Sequence, residues 1–277
     1  MPVPVEPLLR DAARRLEIAG VPTPEIDASA LLTAAARSRT AATDTVSDEA
    51  ARLYEQMIQR RQRREPVSHI KGTRAFWNHD FIVTRDVLDP RPDTETLVEL
   101  ALHHPFERVL DLGTGSGCIL LSLMAETGAC GVGVDISDAA LEVARHNAAA
   151  IGVTPTLLKS DWFSGVDGTF DLIVANPPYV TADGYLTLEP EVQTWEPRIA
   201  VTPGGDGLDP YRIIADQLGS YLSPLGRVLV EIGYDQGDAV SGIFEAAGLR
   251  NISVHRDLGG KDRVVQTRSH AQSAADG

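Results

Sequence analysis

The chain has little that could staple it covalently or anchor it outside water. Only two of its 277 residues are cysteine, Cys118 and Cys130. Two thiols within apolar segments give neither a disulfide framework nor a metal-ligand spacing. They are read as buried and inert, in a reducing cytoplasm. No apolar run approaches the length of a membrane-spanning helix, and Met1 to Glu6 lacks the basic-then-apolar order of a secretion signal. Aromatic residues make up 5% of the chain. Basic residues are also scarce: 25 Lys and Arg stand against 39 Asp and Glu, a net charge of −14. Residues 1–75 hold 12 basic and 10 acidic residues, and residues 76–277 hold 13 and 29. An acidic C-terminal region repels a phosphate backbone, so no direct nucleic-acid contact is expected.

What is present is enough apolar residue, 43% of the chain, for one large domain and a small one. Residues 1–64 read as a helical bundle: Leu8, Leu9, Ala12, Ala13, Leu16 and Ile18 recur at helical spacing, and Gly20-Val21-Pro22 ends the segment. Pro24 to Arg37 and Ser47 to Arg64 repeat the pattern. Arg60, Arg61, Arg63 and Arg64 form a basic run, either a solvated helix end or a contact surface for a partner. Residues 65–92 change character, with β-forming Phe76, Trp77, Phe81, Ile82 and Val83 around a turn at Asn78-His79-Asp80. These aromatics suggest a pocket wall or a hinge between domains. A helix follows, with Asp93 or Thr94 as its N-cap. Residues 93–268 read as the catalytic domain, and residues 269–277 as a disordered tail.

Within 93–268 strands and helices alternate, which calls for a doubly wound, mostly parallel α/β sheet. Arg108 to Leu112 is a strand, and Gly113-Thr114-Gly115-Ser116-Gly117 turns it into a helix from Cys118. A strand, a glycine turn and a helix also describe dinucleotide sites. Here the spacing is G-x-G-x-G with Asp111 two residues ahead, which suits the ammonium of S-adenosylmethionine better than a pyrophosphate. The next strand, Ala129 to Val134, ends in Asp135, placed to accept from ribose hydroxyls. At the third strand end stand Asp161, which could accept from an adenine amino group, and Trp162, which could cover the ring. Gly226 to Gly233 is a fifth strand, Asp235 to Ala247 a helix, and Ile252 to Val254 with Val264 to Gln266 a closing antiparallel pair. Glu189 to Asp209 shows no period and reads as a long loop or lid.

The fourth strand, Phe170 to Ala175, is almost continuously apolar and stops at Asn176-Pro177-Pro178-Tyr179, because two successive prolines cannot donate to a ladder. The stop leaves a side-chain amide, backbone carbonyls and an aromatic ring at a strand end. Such a set can grip a planar group carrying an NH2: the Asn176 oxygen and the Pro177 carbonyl accept the two hydrogens, and Tyr179 packs on the face. Acceptors placed for a tetrahedral nitrogen favour the transition state over the planar ground state.

Taken together, the chain resembles the release factor glutamine methyltransferases, the HemK/PrmC family. The shared residues are Phe76-Trp77, Pro90 to Glu95, the glycine loop, Ser160 to Phe163, the Asn176 to Tyr179 tetrad, Glu196-Pro197, Gly205 to Leu208, Glu231-Ile232-Gly233 and Lys261 to Arg263. Asp89 stands where an apolar residue is expected, and Asp93 where glutamate is frequent. The resemblance implies a class I methyltransferase fold with a seven-stranded sheet. The implied reaction is methylation of the glutamine amide in the Gly-Gly-Gln loop of class I peptide chain release factors. It also implies S-adenosylmethionine on Asp111, Gly113 to Gly117, Asp135, Asp161, Trp162 and Asn176. The target amide falls on Asn176, Pro177, Pro178 and Tyr179, with Asn176, Pro177 and Tyr179 catalytic. A monomer is expected, with the N-terminal helices docking the partner. The alternatives are an exocyclic-amine DNA or RNA methyltransferase, a glutamine methyltransferase of a ribosomal protein, and a binding module that retains the fold.

Overall fold

The computed structural model describes residues 2–36 and 44–268. Two compact units emerge: Met1–Thr73 with Glu189–Trp195, and Arg74–Leu188 with Glu196–Gly277. The tail expected over 269–277 lies outside the described residues.

In the first unit, α1 (Val5–Ile18), α2 (Pro24–Ala36) and α3 (Asp48–Gln62) bury Leu16, Leu31, Leu32, Tyr54 and Ile58 against one another. Each such side chain withdrawn from water contributes about 1.5–3 kcal/mol. Ser47 caps α3 by accepting from the Ala50 N–H at 3.1 Å. A two-residue ladder pairs β1 (Val3–Pro4) with β2 (Thr45–Val46), and α4 (Val67–Lys71) closes the group. The arginine run is neither a solvated helix end nor an open basic surface. Arg61 is buried, donating to Asp27 at 2.7 Å and pairing with Glu191 at 2.8 Å. Arg64 donates to Glu191 at 2.7 Å, and Arg60 to Glu65 at 2.8 Å. Arg63 is the one exposed member of the four. Arg61 and Arg64 are spent on carboxylates from distant sequence, which periodicity could not anticipate.

The second unit opens with a small hairpin of β3 (Thr73–Phe76) and β4 (His79–Ile82), turning at Trp77-Asn78 one residue earlier than expected. Then come α5 (Glu95–Leu102), β5 (Arg108–Leu112), α6 (Cys118–Thr127), β6 (Cys130–Asp135), α7 (Asp138–Ile151), β7 (Thr156–Lys159) and β8 (Phe170–Ala175). A short helix α8 (Ala182–Tyr185) follows, and the region expected to be a lid, Glu189 to Asp209, holds two more, α9 (Pro190–Trp195) and α10 (Arg198–Val201), of which α9 belongs to the first unit. The chain finishes with α11 (Asp209–Gln217), β9 (Leu222–Glu231), α12 (Gly237–Ala246), β10 (Arg250–Arg256) and β11 (Asp262–Arg268). Among the described residues no helix is long and apolar enough to cross a membrane.

The seven strands from β5 onward form one sheet in the order β10-β11-β9-β8-β5-β6-β7. All pairs are parallel except those made by β11. Side chains alternate between two cores, as the strand period requires. Leu110, Leu112, Ile173, Ala175, Val228 and Val230 pack with Tyr211 and Ile214 of α11 and Phe244 of α12. Val109, Leu172, Val174 and Leu229 pack with Leu97 and Val98 of α5 and with α6. Buried Arg227 holds the far end of α5, donating to the carbonyls of Ala101 and His104 at 2.9 Å each. A cation there satisfies the helix's last carbonyls and complements its dipole.

Candidate active site

Strand order fixes where a ligand can enter. From β5 the chain moves outward through β6 and β7, and then returns to place β8 and β9 on the other side. Between β5 and β8 connections leave in opposite directions, which opens a crevice beyond the carboxyl ends of the strands. Leu112 and Ala175 are register partners there, so the loop after β5 and the tetrad after β8 emerge side by side. A cavity of about 450 Å³ fills this crevice.

One wall is the glycine loop. Gly113, Gly115 and Gly117 have φ of 73°, 55° and 81°, a region that residues with a Cβ enter only under strain. Gly117 is also a close-packing position, since a Cβ there would stand 2.8 Å from Leu121. The N–H groups of Gly113 and Thr114 both donate to Val134 at 2.9 Å, tying the loop to β6. Behind it Asp111, 1% exposed, accepts from the Thr114 hydroxyl at 2.7 Å, and its Oδ1 is buried with no hydrogen-bond partner. Burial pushes this carboxyl up to about 7, against the pull of the Thr114 hydrogen bond. Asn147, buried in α7, holds the loop from outside by donating to the Ser116 carbonyl at 2.9 Å and to Ile82 at 3.1 Å.

The second wall carries Asp135 and the turn after β7. Asp135 accepts from Gly115 N and Ser137 N, each at 2.9 Å, one on each oxygen. Burial raises its pKa while those two N–H groups lower it. Trp162 lines the cavity with φ of 50°, a left-handed backbone that is costly for a bulky residue and gathers at functional sites. Ser160 holds the turn by donating to the Trp162 carbonyl at 2.7 Å and accepting from Gly165 N at 2.8 Å. Asp161 is exposed on the cavity rim.

The third wall is the tetrad. The Asn176 amide NH2 donates to the Thr94 hydroxyl at 3.3 Å, and both residues line the cavity. The Tyr179 hydroxyl turns inward and donates to Glu231 at 3.4 Å. Its carbonyl accepts from Gln236 at 3.0 Å. Gly207 passes so close that a Cβ would stand 2.3 Å from that carbonyl. Two further main-chain bonds, Val180 N to Val201 O and Ala182 N to Gly205 O, both at 3.1 Å, clamp the segment after the tetrad.

Of the residues named from sequence, Gly113, Thr114, Gly115, Ser116, Asp135, Asp161, Trp162, Asn176 and Pro178 line the cavity together. Asp111, Gly117, Pro177 and Tyr179 stand behind its surface. The aromatic hairpin does not form the wall: Phe76 and Phe81 meet edge to face at 6.0 Å inside the core, and the Trp77 ring donates to Glu126 at 2.9 Å. The thiols also differ from expectation. Cys118 borders the cavity, its pKa pushed up by burial to about 12, while Cys130 is exposed. Of Asp93 and Thr94, it is Thr94 that holds the N-cap position of α5, without a side-chain capping bond. A 3-10 turn at Pro92–Thr94 precedes the helix, and Asp93 pairs with Arg263 at 3.2 Å. Asp89 is tolerated at a buried position because Arg74 and Arg91 each stand 3.9 Å away. Thr94, Asn147 and Glu231 are the contributors that sequence reasoning missed. Thr94 and Glu231 stand in the shared segments Pro90 to Glu95 and Glu231-Ile232-Gly233 but were given no site role, and Asn147 is a polar residue on the apolar side of a helix.

Comparison with known proteins places these features. Residues 7–72 match the PrmC N-terminal domain, and residues 74–188 the Methyltransferase small domain. The release factor glutamine methyltransferase of Cereibacter sphaeroides is 50% identical over 94% of this chain and 96% of its own. That of Rhodospirillum rubrum is 46% identical over 95% and 85%. A crystal structure of a methyltransferase from Pyrococcus furiosus superposes with a TM-score of 0.54 at 19% identity, over 70% of this chain and 90% of that one, a likeness of fold. The chain belongs to the release factor glutamine methyltransferase family.

Proposed function

We propose that the protein transfers a methyl group from S-adenosylmethionine to the side-chain nitrogen of the glutamine in the Gly-Gly-Gln loop of class I peptide chain release factors. The observation that carries this reading is the placement of Asn176 at the switch-point cavity, one strand away from the glycine loop. The donor set fits the cofactor. Asp135 keeps lone pairs beyond those used by Gly115 and Ser137, and so suits a ribose diol. Trp162 offers a ring face, Asp161 an acceptor at the rim, and the glycine loop a wall that backbone alone can form. The buried, unpartnered oxygen of Asp111 suits a nearby ammonium. S-adenosylmethionine, when bound, supplies an electrophilic methyl group.

The chain's own residues handle the amide. The Asn176 side-chain oxygen and the Pro177 carbonyl accept its two hydrogens and favour a pyramidal nitrogen over the delocalised planar one. Pro178 lines the cavity beside Asn176, and Tyr179, behind that surface, anchors the tetrad through Glu231 and Gln236. No side chain has to remove a proton first, because acidity rises only once the nitrogen is alkylated. The helical unit is the proposed dock for the partner, a reading supported by its near-neutral charge beside a strongly acidic remainder.

The test is incubation with labelled S-adenosylmethionine and either a release factor or DNA, followed by mass mapping. One methyl on the Gly-Gly-Gln glutamine is the expected product. Label on DNA, or on a different residue, would overturn the reading.

A further inference from the structure

Acidic side chains outnumber basic ones around the cavity. Asp86, Asp135, Asp161 and Asp209 all border it, and among the described residues that do so Arg91 alone carries a positive charge. A negative group entering this space is repelled everywhere except beside that guanidinium. The arginine is also held still. It stands between Pro90 and Pro92, and a residue before proline is confined to extended backbone, as its φ of −99° and ψ of 142° show. Arg74 donates to the Pro90 carbonyl at 3.1 Å, and the Arg91 carbonyl accepts from Thr94 N at 3.1 Å. The guanidinium donates to buried Glu196 at 2.5 Å. Asp89 lies 3.9 Å away, near enough for charge attraction and too far for a hydrogen bond. A guanidinium has five N–H groups. One goes to Glu196, the side chain is 37% exposed, and the other donors have no hydrogen-bond partner among the described residues.

We infer that Arg91 binds the carboxylate of the methionine portion of S-adenosylmethionine. The inference rests on the cofactor reading given above. That ligand carries one negative group, beside an ammonium and a sulfonium, so its carboxylate has a single complementary partner in this cavity. Arg91 also stands at the fitting end. Three residues on, Thr94 accepts from the Asn176 amide at 3.3 Å, at the end of β8 where the methyl group is delivered. Trp162 and Asp161, assigned to the adenine, follow β7, at the opposite edge of the sheet. The unpartnered Asp111 oxygen, assigned to the ammonium, belongs to β5, next to β8. Both charges of the amino-acid end thus find an opposite charge at neighbouring strands. Glu196 and Asp89 fix the guanidinium beforehand, so a carboxylate can take its charge-assisted bonds without first ordering a long side chain.

Calorimetric titration of the full chain tests this with two ligands, S-adenosylmethionine and its decarboxylated analogue, which lacks only the carboxylate. The readout is the ratio of the two affinities. Arg91→Gln should lower the preference for S-adenosylmethionine by about tenfold or more, the range of one hydrogen bond to a charged group. The decarboxylated analogue should bind no more weakly than it does to the parent. Arg91→Gln strands the Glu196 charge in the interior, which can prevent folding. Arg91→Gln combined with Glu196→Gln removes that charge, and should show the same fall against Glu196→Gln alone. An unchanged ratio in either folded variant would overturn the inference, including the case in which both ligands weaken equally because Arg91 only supports the wall. A higher KM for the release factor with both affinities unchanged would assign the guanidinium to the protein substrate, and so overturn it too. A parent that binds neither ligand would instead overturn the cofactor reading itself.

Discussion

Gly207 lies under the carbonyl of Tyr179 so closely that a Cβ on the glycine would stand 2.3 Å from that oxygen, and its φ is +77°. Both the contact and the backbone angle demand glycine. Gly207→Ala must therefore push Tyr179 and its Gln236 hydrogen bond aside. Gly204 is the control, with φ of +84° and nothing within 4 Å of a built Cβ. Gly204→Ala should cost about 1 kcal/mol from backbone strain alone. Gly207→Ala should cost about 1–3 kcal/mol more from overpacking, with turnover reduced as well. Urea unfolding of the two variants measures the difference, and equal losses would show that Tyr179 yields freely.

Asp135→Ala should weaken S-adenosylmethionine at least about tenfold, since a charge-assisted hydrogen bond contributes on the order of 1.5–3 kcal/mol. The same change frees the Gly115 N–H, so loosening of the glycine loop adds to the loss. Calorimetric titration reads it directly. Unchanged affinity, or tighter binding of NAD than of S-adenosylmethionine by the parent, would contradict the assignment.

Burial of Asp111 makes stability depend on pH. In the folded chain its pKa is pushed up from 3.8 to about 7. The unfolded chain loses that proton near 3.8, so through the window between these values only the folded state keeps it. The resulting stabilisation is complete below about pH 4, declines as pH rises, and is gone above about pH 7. Asp111→Asn still accepts from Thr114 and never ionises. Its Tm should fall less steeply across this window and exceed that of the parent at about pH 8. Parallel Tm profiles would show that another group sets the dependence.

Asn176→Ala should lower kcat by about 10²–10³ with Tm nearly unchanged, because the side chain serves a developing charge and makes one 3.3 Å bond in the fold. Asn176→Asp retains acceptors and should be impaired less. Single-turnover measurement at saturating cofactor isolates the chemical step.

How far these residues were legible from sequence varied with how local their causes are. β5 and β8 have the expected bounds because runs such as Leu-Ile-Val-Ala can only be buried on both faces. Asp135 and Asn176 were found because each follows such a run directly. The helices within 182–201 were not, since pieces of four to six residues have no stability of their own and form on tertiary contacts. Thr94 carried a misleading cue, being a good capping residue beside a helix start. Its hydroxyl went to Asn176, which is 82 positions later. Glu231 was noted only as part of the shared Glu231-Ile232-Gly233 segment, and its place was not legible because strand pairing alone brings it beside the tetrad.

Arg61 is shared between Asp27, which precedes it, and Glu191, which the ribosome adds 130 codons later. At roughly 5–20 residues per second that delay is about 7–26 s. Through this interval the nascent N-terminal helices can bring Asp27 and Arg61 together, but the cation still lacks its second carboxylate. Completion of the first unit to be synthesised therefore waits on translation well into the second. Codon usage between Arg61 and Glu191 sets the length of that wait, and a truncated product ending before Glu189 would leave the helical unit permanently unfinished.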